Sequence, residues 1–144
     1  MTEQTAQVDA PLRATVPVVC RLRHRVGRRG PSPISGEVEL ENTSTIPIEI
    51  EVSMHPLQYL TLSVTDPQGA PVPAPPYGNI FSPREKPYTF RLAPGGKYIH
   101  HISLLGLLAE EDLRPGTYVV RAIYDYRGLR AVSEPLTVEV PERR

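Results

Sequence analysis

Hydrophobic and polar residues alternate with a period of two along most of this chain, a period typical of β-strands that bury one face. The clearest run follows the turn Pro115-Gly116 and covers residues 117–126. Proline lacks an amide proton and glycine tolerates positive φ, so this pair ends any preceding helix. The residues of this run expected to face the core are Tyr118, Val120, Ala122 and Tyr124.

Seven other segments show the same alternation or a short apolar run. They cover residues 16–24, 36–41, 46–54, 60–64, 88–92, 98–104 and 136–140. Turn sequences such as Asp66-Pro67-Gln68-Gly69 separate them, and residues 106–114 predict one helical turn between the sheets. Seven or eight short strands at this spacing predict an all-β fold, an immunoglobulin-like antiparallel β-sandwich with Greek-key connections and a short helical crossover.

Two details of this fold are predicted from single segments. In residues 46–54 the alternation places Ile46, Ile48, Ile50, Val52 and Met54 in the core. Tyr118 comes directly after a turn, where its hydroxyl is expected to reach backbone near Asp112 or Leu113, as in the tyrosine corner of immunoglobulin-like sandwiches. The alternative for Tyr118 is an ordinary half-buried position in a strand.

Length and composition agree with one such domain. The chain has 144 residues, with 17 prolines and 10 glycines scattered between its apolar runs. Residues 1–13 are expected to be a flexible arm, residues 14–141 the sandwich and residues 142–144 a tail. The polar N-terminus and the short apolar runs predict neither a signal peptide nor a membrane span, and the default expectation is a cytoplasmic protein.

Charge is balanced overall at +0 but is unevenly distributed. Six arginines lie within residues 1–36, whereas residues 37–66 carry six acidic residues and no lysine or arginine. Antiparallel pairing of the first two strands explains both blocks, in a register that places Arg23 opposite Glu39, Arg21 opposite Glu41 and Arg25 opposite Glu37. We favour this interpretation over a nucleic-acid site because no aromatic residue is interleaved with the arginines.

The residue types that carry catalysis or bind metals are sparse. Cys20, the single cysteine, excludes an internal disulfide, and its place on an apolar strand face favours a small buried hydrophobe over a nucleophile. Adjacent strand residues point to opposite faces, so His100 and His101 do not readily chelate one ion. With no nucleophile, phosphate-loop or metal-site motif, we expect no enzyme activity, no metal and no cofactor.

Two regions are candidate binding surfaces. The proline-rich residues 70–87 form a long irregular stretch with Pro73, Pro75, Pro76, Tyr77 and Phe81 as contact residues, and such loops often bind partners. The alternative is that Tyr77 and Phe81 pin the loop to the edge of the sandwich. The second surface is the outward face of the strand 117–126.

That outward face carries Val119, Arg121 and Ile123. Two aliphatic side chains beside an arginine predict a contact with a protein partner or with a second copy in a homodimer; the alternative is that they lie under the N-terminal arm. Arg28 and Arg29, at the tip of the first loop, have no predicted acidic partner and are a further candidate contact.

Five segments resemble those of bacterial immunoglobulin-like domains: ELENTS, LTLSVTDPQGAPVP, FRLAPGGKY, LRPGTYVVRAIYDY and SEPLTVEV. Together they are similar to the intracellular proteinase inhibitor family first seen in Bacillus, over residues 37–140. The resemblance implies the sandwich fold and, more remotely, protease inhibition. The shared elements are turns and core positions, and no inhibitory residue of that family transfers to this chain.

These observations predict a non-enzymatic module that binds a protein partner or takes part in assembly, with no nucleic-acid or membrane partner. The alternative is a cytoplasmic protease inhibitor that presents an extended loop. A weaker alternative is a ligand-binding accessory domain for carbohydrate or an acidic polymer, although the chain has no tryptophan for a sugar platform.

Overall fold

A computed structural model describes residues 17–27, 30–72, 86–105 and 113–142. These ranges form ten β-strands and a short 3₁₀ helix, Pro56–Tyr59. The strands are β1 (Val18–Gly27), β2 (Gly30–Asn42), β3 (Ile48–Val52), β4 (Leu60–Thr65), β5 (Pro71–Val72), β6 (Tyr88–Leu92), β7 (Lys97–Ser103), β8 (Gly116–Tyr126), β9 (Leu129–Val132) and β10 (Leu136–Val140). The predicted all-β class is confirmed, and every strand pair is antiparallel.

The described strands form two larger sheets and one small sheet. One larger sheet has the order β1-β2-β7, and the other has the order β10-β8-β4-β5. On the side of β8 away from β4, β10 pairs with the N-terminal half of β8 and β9 pairs with its C-terminal half. Buried side chains from both larger sheets, including Cys20, Leu40, Leu62 and Val120, form one hydrophobic core, which supports the description of the fold as a β-sandwich.

The third sheet continues the pairing of β2 with β7. β3 follows β2, β6 precedes β7, and β3 pairs antiparallel with β6. Glu41 of β2 lies opposite Lys97 of β7, and Ile48 of β3 lies opposite Leu92 of β6. β2–β3 and β6–β7 therefore make a single long ribbon that bends at residues 43–47 and 93–96.

Asn42 lies fully buried at this bend. Its side-chain amide donates to the carbonyl oxygens of Ile46 (2.8 Å) and Leu92 (2.9 Å), and its Oδ1 accepts from the backbone N–H and the hydroxyl of Ser44 at 2.9 and 2.7 Å. Its own N–H donates to Gly96 O, and its carbonyl accepts from Gly95 N–H. One side chain thus ties both strands of the ribbon together where the ladder is interrupted.

Tyrosine hydroxyls hold the far end of the ribbon against the second sheet. Tyr59 donates to the carbonyl of Glu51 at 2.6 Å, and the hydroxyl of Tyr126 accepts from the N–H of Glu51 at 3.1 Å. Tyr124, fully buried, donates to the carbonyl of Pro56 at 2.7 Å. Buried polar groups need such partners, so these three phenols fix the 3₁₀ helix and the edge of β3 relative to β8.

The tyrosine corner is confirmed, with one change of position. Tyr118 is buried, and its hydroxyl donates to the carbonyl of Arg114 (3.0 Å) and accepts from the N–H of Arg114 (2.9 Å). The backbone partner is therefore Arg114 and not Asp112 or Leu113. The core face of β8 is also confirmed, since Val120, Ala122 and Tyr124 are fully buried.

Other details of the sequence prediction were wrong. Ile46 is 66% exposed and not a core residue, because the turn held by Asn42 and Ser44 includes it and β3 begins only at Ile48. β5 and β9 were not predicted. β9 pairs back onto β8 through a two-residue turn in which Arg127 (φ 46°) and Gly128 (φ 88°) both have positive φ, a turn type typical of hairpins.

The arm predicted for residues 1–13, most of the helical turn predicted for residues 106–114 and the end of the predicted tail, residues 143–144, lie outside the described residues. Within the described ranges, no helix has the length and apolar character needed to cross a membrane.

Replacing Tyr118 with phenylalanine should lower the free energy of unfolding by about 1 kcal/mol, because the hydrogen bonds of the corner are lost while the ring stays packed. The measurement is the urea midpoint. Tyr126→Phe is the comparison variant, because it also removes one tyrosine hydroxyl, but from a solvent-exposed hydrogen bond, and it should therefore cost less than Tyr118→Phe. Equal midpoints for Tyr118→Phe and the parent protein would contradict a stabilising corner.

Replacing Asn42 with alanine should cost about 3 kcal/mol, because the buried carbonyl of Leu92 loses its donor, the carbonyl of Ile46 loses one of its two donors and Ser44 loses its acceptor. Ser44→Ala, which leaves the Asn42 amide in contact with Ile46 and Leu92, should cost under about 1 kcal/mol. Thermal or urea unfolding of both variants measures the difference. A similar loss in the two variants would show that the bend does not depend on the Asn42 amide.

Candidate functional site

The outward face of β8 is exposed at its centre, as predicted. β8 lies between β4 on one side and β9 and β10 on the other, so its side chains alternate between the core and the outer surface. Val119 is 36% exposed, Arg121 is exposed, and Ile123 is half-buried. The structure therefore places the three predicted residues together on one sheet face.

Neighbouring strands widen this face. Ile123 lies opposite Val132 of β9 and Thr61 of β4, and Val119 lies opposite Thr137 of β10 and Thr65 of β4. Arg121 lies opposite Ser63 of β4. We define the β8 outer face by these eight residues: Thr61, Ser63, Thr65, Val119, Arg121, Ile123, Val132 and Thr137.

Val132, at 47% exposure, is the most exposed large apolar residue of the face, and sequence reasoning missed it. The available signal was the short alternating run Leu129–Val132 after Arg127-Gly128. An Arg-Gly pair is an unusual hairpin turn because an L-residue other than asparagine or aspartate rarely adopts the positive φ, and the turn was therefore not recognised.

The charges on this face are distributed unevenly. At one end Arg130 contacts Asp125 at 3.3 Å, and at the other Thr117 hydrogen bonds to Glu139. Arg121, at the centre, makes no hydrogen bond or ion pair with any described residue. A permanently charged guanidinium therefore stands between aliphatic side chains and hydroxyls, an arrangement suited to non-covalent contact with a carboxylate-bearing surface.

The arginines of β1 are engaged, in contrast to Arg121. Arg21 contacts Glu39 and Glu41, both at 2.6 Å, and Arg23 contacts Glu39 at 2.8 Å and Glu37 at 3.5 Å. The predicted cross-strand neutralisation is thus confirmed. Its predicted register was wrong by two residues, because Arg21 lies opposite Glu39 and Arg23 opposite Glu37.

The register error has a simple physical origin. A shift by two keeps every side chain on the same face, so the alternation pattern allows either register. The predicted contacts Arg23–Glu39 and Arg21–Glu41 exist as diagonals. Arg25 was predicted to lie opposite Glu37. It lies instead where the register of β1 with β2 shifts, between His24 and Val26.

Glu39 lies at the centre of this network and is only 5% exposed. The hydrogen bond from Arg23 and then that from Arg21 lower the pKa of Glu39, against the opposing effect of burial. A buried carboxylate of this kind is satisfied by its ion pairs. The network is consequently a structural element of the outer face of the first sheet.

The histidines behave as the strand geometry predicts. His100 is half-buried, with its ring against those of His55 (4.7 Å between centroids) and Tyr98, whereas His101 is exposed on the opposite face near Glu37. Burial, and then the neighbouring His101, lowers the pKa of His100. Among the described residues no group of three or more His, Cys, Asp or Glu side chains could hold a metal ion.

Cys20 is buried, and burial raises the pKa of its thiol to about 12. A thiol this far from its ordinary pKa is almost entirely protonated at neutral pH and is a poor nucleophile, so the prediction of a small buried hydrophobe is confirmed.

The remaining predicted contact residues lie outside the described residues: Arg28, Arg29, Pro73, Pro75, Pro76, Tyr77 and Phe81. The structure describes the face carrying Val119, Arg121 and Ile123, and partner binding at this face, at the proline-rich loop and at the first loop tip stays a prediction.

Comparison with known proteins adds little to this description. No protein-family model matches the chain, and no curated protein matches it. Two glucosidase structures are similar: the β-D-glucoside glucohydrolase from Trichoderma reesei (13% identity, TM-score 0.38) and β-glucosidase 3B from Thermotoga neapolitana (15% identity, TM-score 0.35). Each match covers 85% of this chain but 18% and 17% of the respective glucosidase. The chain spans under a fifth of either enzyme, and likeness this weak supports no argument about activity.

The lowered pKa of Glu39 predicts a pH dependence. A carboxylate with a depressed pKa stabilises the fold above its unfolded pKa of about 4.3, and the stabilisation is lost as the pH falls through its folded value. Glu39→Gln should lower the free energy of unfolding at pH 7 by about 1 kcal/mol, a small loss because water partly screens the arginines. Below about pH 4 the free energy of unfolding should then fall less steeply with pH than in the parent protein.

Glu49→Gln is the matched control, because Glu49 is an exposed strand residue. Urea unfolding measured from neutral to acid pH separates the two variants. An acid decline in Glu39→Gln as steep as that of the parent protein would contradict a role of this network in acid sensitivity.

Proposed function

We propose that this chain is a non-enzymatic protein-binding module of the immunoglobulin-like class, which binds its partner through the β8 outer face. Three features support the class: the strand order β1-β2-β7 in one sheet, β8 between β4 and β10 in the other, and the tyrosine corner at Tyr118.

The observation that carries the binding proposal is the composition of the β8 outer face. Val119 is exposed on β8 and Val132 on the neighbouring β9, and Arg121 at the centre of β8 has no partner among the described residues. The neighbouring positions Ser63, Thr65 and Thr137 bear short hydroxyl side chains that leave the aliphatic groups accessible. Exposed apolar residues grouped on one face are typical of interaction sites, and arginine is enriched among the residues that dominate binding energy.

The chemistry of the face favours a particular kind of partner surface. The aliphatic residues would lose water on contact with an apolar patch, and Arg121 would donate a bidentate pair of hydrogen bonds to a carboxylate on the partner. Because the face is only three strands wide, about 10 Å between the outer backbones, it would form the centre of an interface whose rim includes adjoining loops.

The protease-inhibitor alternative depends on the proline-rich loop, which lies almost wholly outside the described residues. It stays a prediction from the sequence. We also propose a reducing, cytoplasmic location, supported by a single cysteine that is buried and unpaired.

Replacing Arg121 with glutamate should weaken partner binding at least tenfold, because a repulsive charge replaces the central cation. The partner is first captured from a native lysate on the immobilised parent protein and identified by mass spectrometry, and its affinity is then measured for each variant. Arg91→Glu is the matched control, since Arg91 is an exposed strand arginine on β6 of the small sheet.

Binding that is unaffected by Arg121→Glu, or that is reduced equally by Arg91→Glu, would contradict the assignment of the β8 outer face. Val119→Lys provides an independent substitution on the same face and should reproduce the loss. Circular dichroism and the urea midpoint of each variant establish that the fold is retained.

A further inference from the structure

The outer edge of β7 has peptide groups that pair with no strand of the described residues. Asn42 N–H donates to Gly96 O, whereas Thr43 N–H donates to Pro17 O on the β1 side. Because successive peptide groups of a strand point to opposite sides, β2 bonds to β7 through its even-numbered residues. The register then pairs Leu40 with Tyr98 and Val38 with His100.

The odd-numbered residues of β7 therefore point their N–H and C=O groups away from β2. These residues are Lys97, Ile99, His101 and Ser103. No strand of the described ranges pairs with this edge. An edge of seven residues with a continuous register and no proline is a template for a further strand.

The edges of three other strands carry specific blocks. Tyr59 and Tyr126 occupy the outward peptide groups of Glu51 on β3. The ring of His24 lies 2.8 Å from the carbonyl oxygen of Thr137 on β10. β4 is covered at Val64 and Thr65 by the two-residue strand β5, which begins with Pro71. Such devices prevent edge-to-edge pairing, and in the part of the chain that the structure describes no strand covers the outer edge of β7.

We propose that β7 pairs antiparallel with β7 of a second copy of this chain, in a register centred on Ile99. Ile99 is 46% exposed, and in this register it contacts Ile99 of the second copy. The same register sets Lys97 opposite His101 and Tyr98 opposite His100, so the pairing covers residues 97–101 of each copy.

Charge complementarity favours a second copy over an unrelated strand. Glu37 Oε2 lies 3.9 Å from His101 Nε2 within one copy. In the paired register, Lys97 of each copy approaches this acidic position beside His101 of the other. The symmetry repeats the contact, so both ends of the interface place a lysine near a glutamate.

The product is a continuous sheet with three strands from each copy, joined by about six main-chain hydrogen bonds across Lys97, Ile99 and His101. It lies on the opposite sheet from the β8 outer face, so the dimer leaves that face open. The two surfaces are consequently separable by mutation.

The first test is the molar mass in solution, by sedimentation equilibrium over a range of protein concentrations. We expect the parent protein to form a dimer and Ile99→Lys to be monomeric at the concentrations where the parent is dimeric, because like charges then face each other across the edge. Val132→Lys is the matched control, since Val132 has nearly the same exposure at 47% but lies on the β8 outer face.

The second test fixes the register with cysteine substitutions. Opposed residues of a hydrogen-bonded antiparallel pair have Cα atoms about 5.5 Å apart, within disulfide range. Ile99→Cys should therefore form a disulfide-linked dimer under mild oxidation. His101→Cys alone should not, because its counterparts would be about 13 Å apart, but a mixture of His101→Cys with Lys97→Cys should cross-link. Cys20 is buried and unreactive.

A parent protein that is monomeric throughout the range overturns the proposal. So does a dimer that Val132→Lys dissociates and Ile99→Lys does not, which would place the contact on the β8 outer face. Cross-linking of His101→Cys by itself, as efficient as that of Ile99→Cys, would exclude the register centred on Ile99. Loss of dimerisation in Ile99→Lys with partner binding retained would distinguish this surface from the proposed binding face.

Discussion

The bend of the long ribbon depends on one buried side chain. Asn42 satisfies its own amide and the carbonyl groups of Ile46 and Leu92 at a point where the ladder between strands is interrupted. A buried carbonyl without a donor costs about 1–3 kcal/mol, so without this residue the ribbon could not leave the plane of the first sheet at low cost. The path of β3 and β6, and through Glu51 their contact with Tyr59 and Tyr126, follows from that bend.

The two outer surfaces of the sandwich differ in how their charges are used. On the first sheet Arg21, Arg23 and three glutamates neutralise one another, with Glu39 almost buried beneath the guanidinium groups. On the second sheet the ion pairs lie at the ends of β8, and Arg121 remains without a described partner. Arg21 and Arg23 of the first sheet are already paired, whereas Arg121 has no partner among the described residues, and this contrast supports our proposal that a partner binds at the β8 outer face.

The hydrophobic alternation predicted the strand class and most of the core. Tyr118, Val120, Ala122 and Tyr124 are buried as expected, as are Cys20, Ile50 and Leu62. The prediction that Ile46 is a core residue was wrong because alternation does not reveal where a strand begins. Ile46 belongs to the turn held by Asn42 and not to β3. β9 was not predicted because the turn before it has Arg127 at positive φ, a conformation that is rare for arginine in hairpin turns. Of the β8 outer face, Val119, Arg121 and Ile123 were predictable from their own strand, whereas Val132 required the pairing of β9 with β8.

The sequence by itself determined which residues alternate, and hence which strand faces are apolar, because the period of a strand is local. It also determined that the two charge blocks neutralise each other. Only the tertiary structure decided the register that joins them, since a shift of two residues preserves the faces and changes only the partners. The polar contacts of Asn42 and Tyr124 with backbone groups 50 and 68 residues away likewise depend on long-range packing that no local pattern encodes.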